Sequence, residues 1–501
     1  VIRRLASAPA TPFAALAVGW LLTWLRVATP AALHDPSVLY WRGWQDQSLY
    51  VRSATALARG DFAASEHWYP LLYPLLGTPF VGLWPSQPFF IANLACYLLA
   101  FAGFQRVAAA FGVRRWPAAA IFAATTLVQF VFAKPWIEPW TTTASAALLW
   151  LAFGMATHPW TEAMPKRREA AILGIAVALT PFARPGDAPI ALIAAGLGLA
   201  AMLRAPCTPP PRRGVVLTAF LAGAGAFALA AIPWLLVYGP GPSPYMLFSA
   251  RYGFNFAWLG WKAYVILVDP HAWFGGGTGL LKVAPWLILG AAGLVQACLT
   301  GPRDRRAAAI ALAVAAALYT SLMLAYVDLL PTGLWRYNNV HYFKWLLPLF
   351  GLFAVRFVIV GARRPATLAS IVPFLLLLCV KIVPVPVDAD DPARLLIFSQ
   401  PRGSVWSDLY FATAWITDAH GEQRNSFDYH QILDPAEVRA VALRRPFAGD
   451  ERWIGDERIA AQLAGTDTGG YAPLYLTGPW PRAPLRRYGA RVTLGWPSAL
   501  F

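Results

Sequence analysis

The sequence predicts an α-helical polytopic membrane protein with about eleven transmembrane helices, interfacial helices in the first outer loop, and a small α/β domain at the C-terminal end. Three observations lead there. Hydrophobic residues make up 58% of the 501 and charged residues 13%, about half the charged share of an ordinary globular chain. The apolar residues gather into eleven runs near the length of ~20 residues that a helix needs to cross the hydrocarbon core. Basic residues fall in every second connection between those runs, as the positive-inside rule expects. That pattern accounts for the formal charge of +16. With no basic domain or binding motif present, nucleic acid is not expected as a partner.

In order, the runs are 11–28, 88–105, 117–133, 139–157, 169–182, 188–203, 214–238, 284–300, 307–327, 343–360 and 366–384. The first has the basic start of a signal peptide but no small-residue cleavage site before Arg26, so it reads as a retained span. The runs at 169–182 and 188–203 are short and could form a tight hairpin. The basic clusters are Arg3/Arg4, Arg106/Arg114/Arg115, Lys166/Arg167/Arg168, Arg204/Arg212/Arg213, Arg303/Arg305/Arg306 and Arg356/Arg363/Arg364. Their alternation puts the N-terminus in the cytoplasm and, with an odd number of spans, the C-terminus outside. The outer segments are then 29–87, 134–138, 183–187, 239–283, 328–342 and the tail from about 385. Two of these loops, 29–87 and 239–283, have the length usually tied to function. Cys96, Cys207, Cys298 and Cys379 avoid the outer segments and show no metal-ligand spacing, so no disulfide is expected.

The chain therefore divides into a transmembrane domain, 1–384, and an outer domain, 385–501. The tail opens after the linker VPVPVDADDP. Strands are expected at Arg394 to Ser399, Tyr471 to Thr477 and Arg487 to Leu494. Helices are expected at Ser404 to Asp418, Pro435 to Arg445 and Asp456 to Leu463.

None of the spans carries an ionisable residue near its middle, which counts against an ion-coupled transporter. Chemistry belongs to the outer face, and there the stretch WQDQSLYVRSATALARGDF, Trp44 to Phe62, stands out. From Ser48 to Phe62, Tyr50, Val51, Ala54, Leu57, Ala58 and Phe62 share one helical side, and Ser48, Arg52, Thr55 and Arg59 the other. That is an amphipathic helix lying in the interface, with Gly60 to end it. Arg52 and Arg59 are seven residues apart and point the same way, at the level of lipid phosphates. Asp46 falls at or just before the helix N-terminus. By spacing alone it is equally an N-cap or a catalytic carboxylate.

The order of these features is one span, then Asp46-Gln47-Ser48-Leu49-Tyr50 opening an interfacial helix, then Tyr69-Pro70-Leu71-Leu72-Tyr73-Pro74-Leu75-Leu76. It resembles the GT-C superfamily of membrane glycosyltransferases, which use polyprenyl-phosphate-linked sugars. It is similar to the protein mannosyltransferase, aminoarabinose transferase and lipopolysaccharide sugar transferase branches. The likeness extends in outline across the spans and does not include the tail. Trp136-Ile137-Glu138-Pro139 looks like the second acidic position of such enzymes, and Thr180-Pro181-Phe182-Ala183-Arg184-Pro185 like their Arg-Pro turn. The resemblance implies inverting transfer of a sugar from a polyprenyl-phosphate carrier to a glycan, lipid or envelope-polymer acceptor, with Asp46 as general base and outer Arg or Lys side chains on the leaving phosphate. Where several branches have adjacent acidic residues, this chain has Gln45-Asp46-Gln47. A divalent metal is therefore not supported, and no cofactor is required. Asp61 and Glu66 stand as understudies to Asp46.

The expected substrate-binding set is Arg52, Arg59, Glu66, His67, Tyr69, Glu138, Arg184, Arg251, Lys262, Arg336 and Lys344. Arg251 and Lys262 are interleaved with aromatic residues in the second long outer loop. Arg336, His341 and Lys344 lie in LWRYNNVHYFKW. Interfacial aromatic belts explain much of both stretches, yet basic residues there run against the positive-inside bias. Trp44 and Trp68 could stack on sugar faces. The Gly-rich Gly275 to Gly279 lacks the Gly-Lys-Ser/Thr ending of a phosphate loop. His67 and His271 have no helical His partner. Two other classes remain open on the sequence: a carrier-lipid or polysaccharide translocase, and a catalytically inactive scaffold of the same fold.

Overall fold

The computed structural model describes residues 10–28, 45–157, 166–204, 211–252, 254, 256, 259–269, 278–326, 329, 339–361, 368–384, 416–417, 423–424 and 490–494. They are predominantly helical and fall into two units. Unit 1 is Val1–Arg251, Trp286–Thr320 and Val340–Ile371; unit 2 is Tyr252–Pro285, Ser321–Asn339 and Val372–Phe501.

The helices that matter here are α1 (Thr11–Val27), α2 (Gln45–Ala58), α3 (Phe90–Ala110), α4 (Arg115–Ala123), α5 (Phe130–Ile137), α6 (Thr141–Thr157), α7 (Arg167–Ala183), α8 (Ala188–Arg204), α9 (Pro211–Tyr238), α10 (Pro244–Tyr252), α11 (Trp286–Thr300), α12 (Arg303–Ala325), α13 (Leu346–Gly361) and α14 (Val372–Cys379). Among the described residues, four helices are long and apolar enough to cross a membrane: Phe90–Ala110, Pro185–Leu203, Arg213–Tyr238 and Arg303–Ala325. A fifth follows if the bent pair Arg115–Val128 and Phe130–Ile137 is one span. Three shorter apolar helices are α1, α11 and α13.

Within unit 1, α3 packs on α6, α7 on α6 and α9, α8 on α6, and α11 on α13. In lipid there is little hydrophobic gain in bringing two apolar helices together, so close packing of backbones matters more. Glycine supplies it here. A methyl at Gly103 of α3 would overlap the Trp150 carbonyl of α6. One at Gly290 or Gly293 of α11 would overlap the Phe350 or Phe353 carbonyl of α13.

The expected uninterrupted span 117–133 is broken. A π-turn at Ala124–Val128 runs into Gln129, whose backbone is extended (φ −87°, ψ 125°), and the helix resumes as α5 at 91° to its first half. Thr125 and Thr126 turn their hydroxyls back onto the Ile121 and Phe122 carbonyls, which loosens the helical ladder where it bends.

The last expected span, 366–384, is also cut short. α14 stops at Cys379, and β1 (Val380–Pro384) follows, antiparallel to β4 (Ala490–Leu494), with Val380 opposite Leu494. Its Val-Lys-Ile-Val run is β-branched as well as apolar, and suits a strand better than a helix. The last five residues of the strand expected at 487–494 are that partner. Ile416 and Thr417, expected within a helix, form β2, paired with β3 (Gln423–Arg424). The other elements expected in the tail lie outside the described residues.

Among the described residues of unit 1, several helix ends are tied together by basic side chains. Arg106 holds Glu169 (2.8 Å), Arg356 donates to the Phe111 carbonyl, and Arg167 reaches over Gly214. The candidate site involves other residues of unit 1.

Candidate functional site

The site begins with α2. Asp46 is the second residue of this helix, inside its first turn rather than at the cap. There the partial positive charge of the helix start favours a carboxylate. The buried face carries Gln47, Tyr50, Val51, Ser53 and Ala54; Arg52, Ala58 and Arg59 are exposed. The helix ends four residues short of the expected Phe62. The Asp61 N–H bonds back to the Ala56 carbonyl and the Gly60 N–H to the Leu57 carbonyl, with Gly60 at φ 71°. This closure needs the left-handed region, which glycine enters without strain.

The chain then returns along the helix and is tied to it at three points. Asp61 caps the turn by accepting from the Ala63 N–H (2.9 Å). The Arg52 fork donates from Nε and Nη2 to the two Glu66 carboxylate oxygens (2.7 and 2.6 Å). Buried His67 donates from Nε2 to the Asp61 carbonyl (3.1 Å), and its Nδ1 lies 2.7 Å from Ser53 Oγ. These ties set Tyr69 against Asp46: Tyr69 OH donates to Asp46 Oδ1 at 2.7 Å. Arg52 and Glu66 thus bond to each other, and His67 to Ser53 of α2 and to the Asp61 carbonyl, and these ties hold the 61–69 return.

Aromatic rings wall in the pair. Tyr69 packs on Tyr50 (4.7 Å between centroids) and on Tyr245 of α10 (4.8 Å). Its carbonyl takes the Tyr238 hydroxyl, and the Trp68 carbonyl takes the Tyr245 N–H. Burial pushes the Tyr50 and Tyr69 phenols well above the ordinary tyrosine range, and the charge of Asp46 pushes the same way. Both remain hydroxyl donors at any physiological pH. Trp68 is exposed beside them.

A second network fixes the 135–140 turn. Tyr73 OH donates to Asn93 Oδ1 (2.7 Å) and accepts from the Trp140 N–H (3.1 Å). Asn93 Nδ2 donates to the carbonyls of Ile137 (2.9 Å) and Glu138 (3.3 Å). Trp20 Nε1 donates to the Trp136 carbonyl (3.3 Å), and Lys344 Nζ to the Pro135 carbonyl and Thr143 Oγ1 (both 2.6 Å). The last carbonyls of a helix have no partner within it and carry its negative end. Here three side chains from distant parts of the chain satisfy them, and the cation among them, Lys344, also lies over the Trp136 ring at 5.1 Å. Glu138 pairs with Lys134 (3.4 Å). Burial raises the Glu138 carboxyl above its ordinary range, against the opposing pull of Lys134.

Arg184 closes α7 and begins the third network. It lies 3.6 Å from Asp187 Oδ1, donates from Nη1 to Tyr319 OH (3.0 Å), and sits 4.5 Å from the centre of the Tyr342 ring. Tyr319 OH donates to the Tyr342 carbonyl (2.6 Å), and Ser145 Oγ to Asp187 Oδ2. His341 stacks on Trp140 (3.9 Å, 19°) with Nδ1 3.2 Å from Thr142 Oγ1. Burial, Lys344 and Arg184 hold its imidazole well below the usual histidine range, and so neutral.

Unit 1 therefore holds Asp46, Arg52, Glu66, His67, Tyr69, Glu138, Arg184 and Lys344. Arg59 lies exposed just past α2. Lys262 belongs to unit 2, buried, with Nζ on the Tyr326 carbonyl (2.6 Å). The Arg251 side chain, Arg336, Trp44 and His271 lie outside the described residues. Sequence reasoning left out Asp187, Ser145, Asn93 and Tyr245. The Arg-Pro-Gly-Asp spacing could have pointed to Asp187, and a lone amide in an apolar span to Asn93. Among the described residues, no three His, Cys, Asp or Glu side chains converge as a metal site. No protein-family model, curated protein or solved structure matches the chain.

Proposed function

We propose that the chain is a membrane glycosyltransferase of GT-C type, in a bacterial inner membrane. On its apolar runs it has about eleven membrane segments, those at 117–133 and 366–384 interrupted, with a cytoplasmic N-terminus and a periplasmic α/β tail domain. It moves one sugar from a polyprenyl-phosphate carrier to a hydroxyl of a glycan, lipid or envelope polymer. The observation that carries this reading is the Tyr69–Asp46 pair: a carboxylate at the start of an interfacial helix, oriented by a phenol.

Asp46 takes the proton of the acceptor hydroxyl as its oxygen attacks the anomeric carbon. The bond from that carbon to the phosphate oxygen breaks, the polyprenyl phosphate leaves with the electron pair, and the configuration inverts. Exposed Arg59 meets the carrier phosphate at the membrane surface. Trp68 offers a face for the sugar.

The test uses membranes containing the full chain, polyprenyl-phosphate-linked sugars and an envelope acceptor fraction. Asp46→Asn should lower transfer at least ~100-fold, the scale of a general base. Full transfer by Asp46→Asn overturns the reading.

A further inference from the structure

A groove of about 560 Å³ runs between α7, α8 and α9, away from the site just described. Its walls are apolar throughout: Leu173 and Val177 of α7, Leu192 and Leu199 of α8, Phe220 and Phe227 of α9, with Gly196 in its lining. Leu192, Leu199, Phe220 and Phe227 are exposed, so no other part of the described chain covers them. On α9 the lining runs from Val216 to Phe227, which at 1.5 Å per residue is ~16 Å. The hydrocarbon of one bilayer leaflet is ~15 Å deep. The groove thus has the length of a single leaflet.

One end of it is strongly basic. Arg213 lies one turn before Val216, and Arg167 Nη2 approaches the first turn of α9 so closely that a Cβ at Gly214 would stand 3.1 Å from it. Lys166, Arg167, Arg168 and Arg213 are all exposed there. The neighbouring acid, Glu169, is buried and held by Arg106. A leaflet-deep apolar groove with exposed cations at its mouth fits a lipid whose chain is apolar and whose headgroup is anionic.

We propose that this groove binds an acyl chain of an anionic glycerophospholipid from the leaflet at the Arg167–Arg213 end, with the headgroup phosphate held by Arg167 and Arg213. The site is separate from sugar transfer and does not depend on that activity. A lipid seated there bridges α7 and α9 to α8, and so ties three helices that otherwise present apolar faces to the bilayer.

Thermal unfolding of the full chain in detergent, with lipid added, tests this, because a ligand of the folded state raises the midpoint with the logarithm of its concentration over its dissociation constant. The probes are phosphatidylglycerol and phosphatidylcholine with identical acyl chains, and inorganic phosphate. Phosphatidylglycerol should raise the midpoint most, and phosphate alone should not. Gly196→Leu fills the groove, and since a Cβ at Gly196 has nothing within 4 Å it should fold. It should weaken phosphatidylglycerol binding at least tenfold. The double variant Arg167→Gln/Arg213→Gln should do the same and abolish the preference for phosphatidylglycerol over phosphatidylcholine. Equal stabilisation by the two lipids, or by phosphate, overturns the proposal. So does undiminished phosphatidylglycerol binding in either variant.

Discussion

Tyr69 and Asp46 are twenty-three residues apart in sequence, and the phenol donates to the carboxylate across 2.7 Å. Nothing in the 61–69 return needs that bond for closure, since Arg52–Glu66 and His67–Ser53 already hold it. The bond orients Asp46. Tyr69→Phe keeps the ring contacts with Tyr50 and Tyr245 and removes only the donor. We expect transfer to fall about tenfold, equivalent to ~1.4 kcal/mol of barrier, with the thermal midpoint almost unchanged. Transfer rates in membranes, set against unfolding in detergent, check this; wild-type activity in Tyr69→Phe would show the bond to be incidental.

The Arg184–Asp187 pair is buried, and breaking a buried pair costs more than removing both halves. Asp187→Ala should destabilise unit 1 by about 3–5 kcal/mol. Adding Arg184→Met should restore most of that loss. A double-mutant cycle on thermal midpoints reads the difference. If the double variant is no better than Asp187→Ala, the two residues do not act as a pair.

Asn93 joins Tyr73 to the carbonyls of Ile137 and Glu138. Asn93→Leu keeps the volume and leaves those groups unsatisfied, at about 1–3 kcal/mol. Because the same amide sets the 137–140 turn, hydrogen exchange at the Trp140 amide should speed up as stability falls. Unaltered exchange there would mean that Tyr73 alone holds the turn.

The α3–α6 crossing makes a prediction with an internal control. Gly103→Ala and Gly196→Ala add the same methyl to a helical glycine. At Gly103 it meets the Trp150 carbonyl; at Gly196 it meets open space. Gly196→Ala should be neutral or gain up to ~1 kcal/mol of helix propensity. Gly103→Ala should lower the midpoint sharply. Equal midpoints would rule out a backbone-tight crossing.

The Arg52 fork bonds to Glu66, and its charge adds to the effect, so the Glu66 carboxyl titrates below the ordinary glutamate range despite partial burial. A carboxyl lowered on folding stabilises fully above its unfolded value, and the contribution is lost as pH falls through the folded one. The pair is part-exposed, so the effect is at most ~1 kcal/mol. Protease nicking of the 61–69 return should therefore increase at acidic pH, below the usual glutamate range. Glu66→Gln should show the raised rate already at neutral pH. A flat wild-type profile would mean that the pair contributes nothing to the return.

How legible this was in the sequence differs from element to element. The apolar runs foretold α1, α3, α6, α7, α8, α9, α11 and α13 to within a few residues, because span length and flanking charge are local properties. The break at Gln129 was hidden, since the apolar run continues through it and the bend depends on Thr125 and Thr126 turning inward. β1 was hidden for a related reason: Val380 to Pro384 is as apolar as a span, and its partner lies more than a hundred residues later. In the site, Asp46 and Arg184 stood out as ionisable groups in outer segments. The sequence offered Arg52, Glu66 and His67 as substrate-binding groups and did not show that Arg52 bonds to Glu66, and His67 to Ser53 and the Asp61 carbonyl. The chain reversal at Gly60 brings them together; the glycine marked the end of the helix, but not the path of the chain beyond it. Asp187 escaped notice because its partner Ser145 comes from another helix.

The capped end of α5 has a consequence for how the protein is made. A ribosome that has just delivered residues 130–137 has already supplied Trp20 and Asn93. Lys344 arrives 209 residues after Pro135. Until then the Pro135 carbonyl lacks the donor that satisfies it in the finished chain. Newly inserted chains that stop short of Lys344 would differ from finished ones at that spot, and a membrane protease could tell the two apart there.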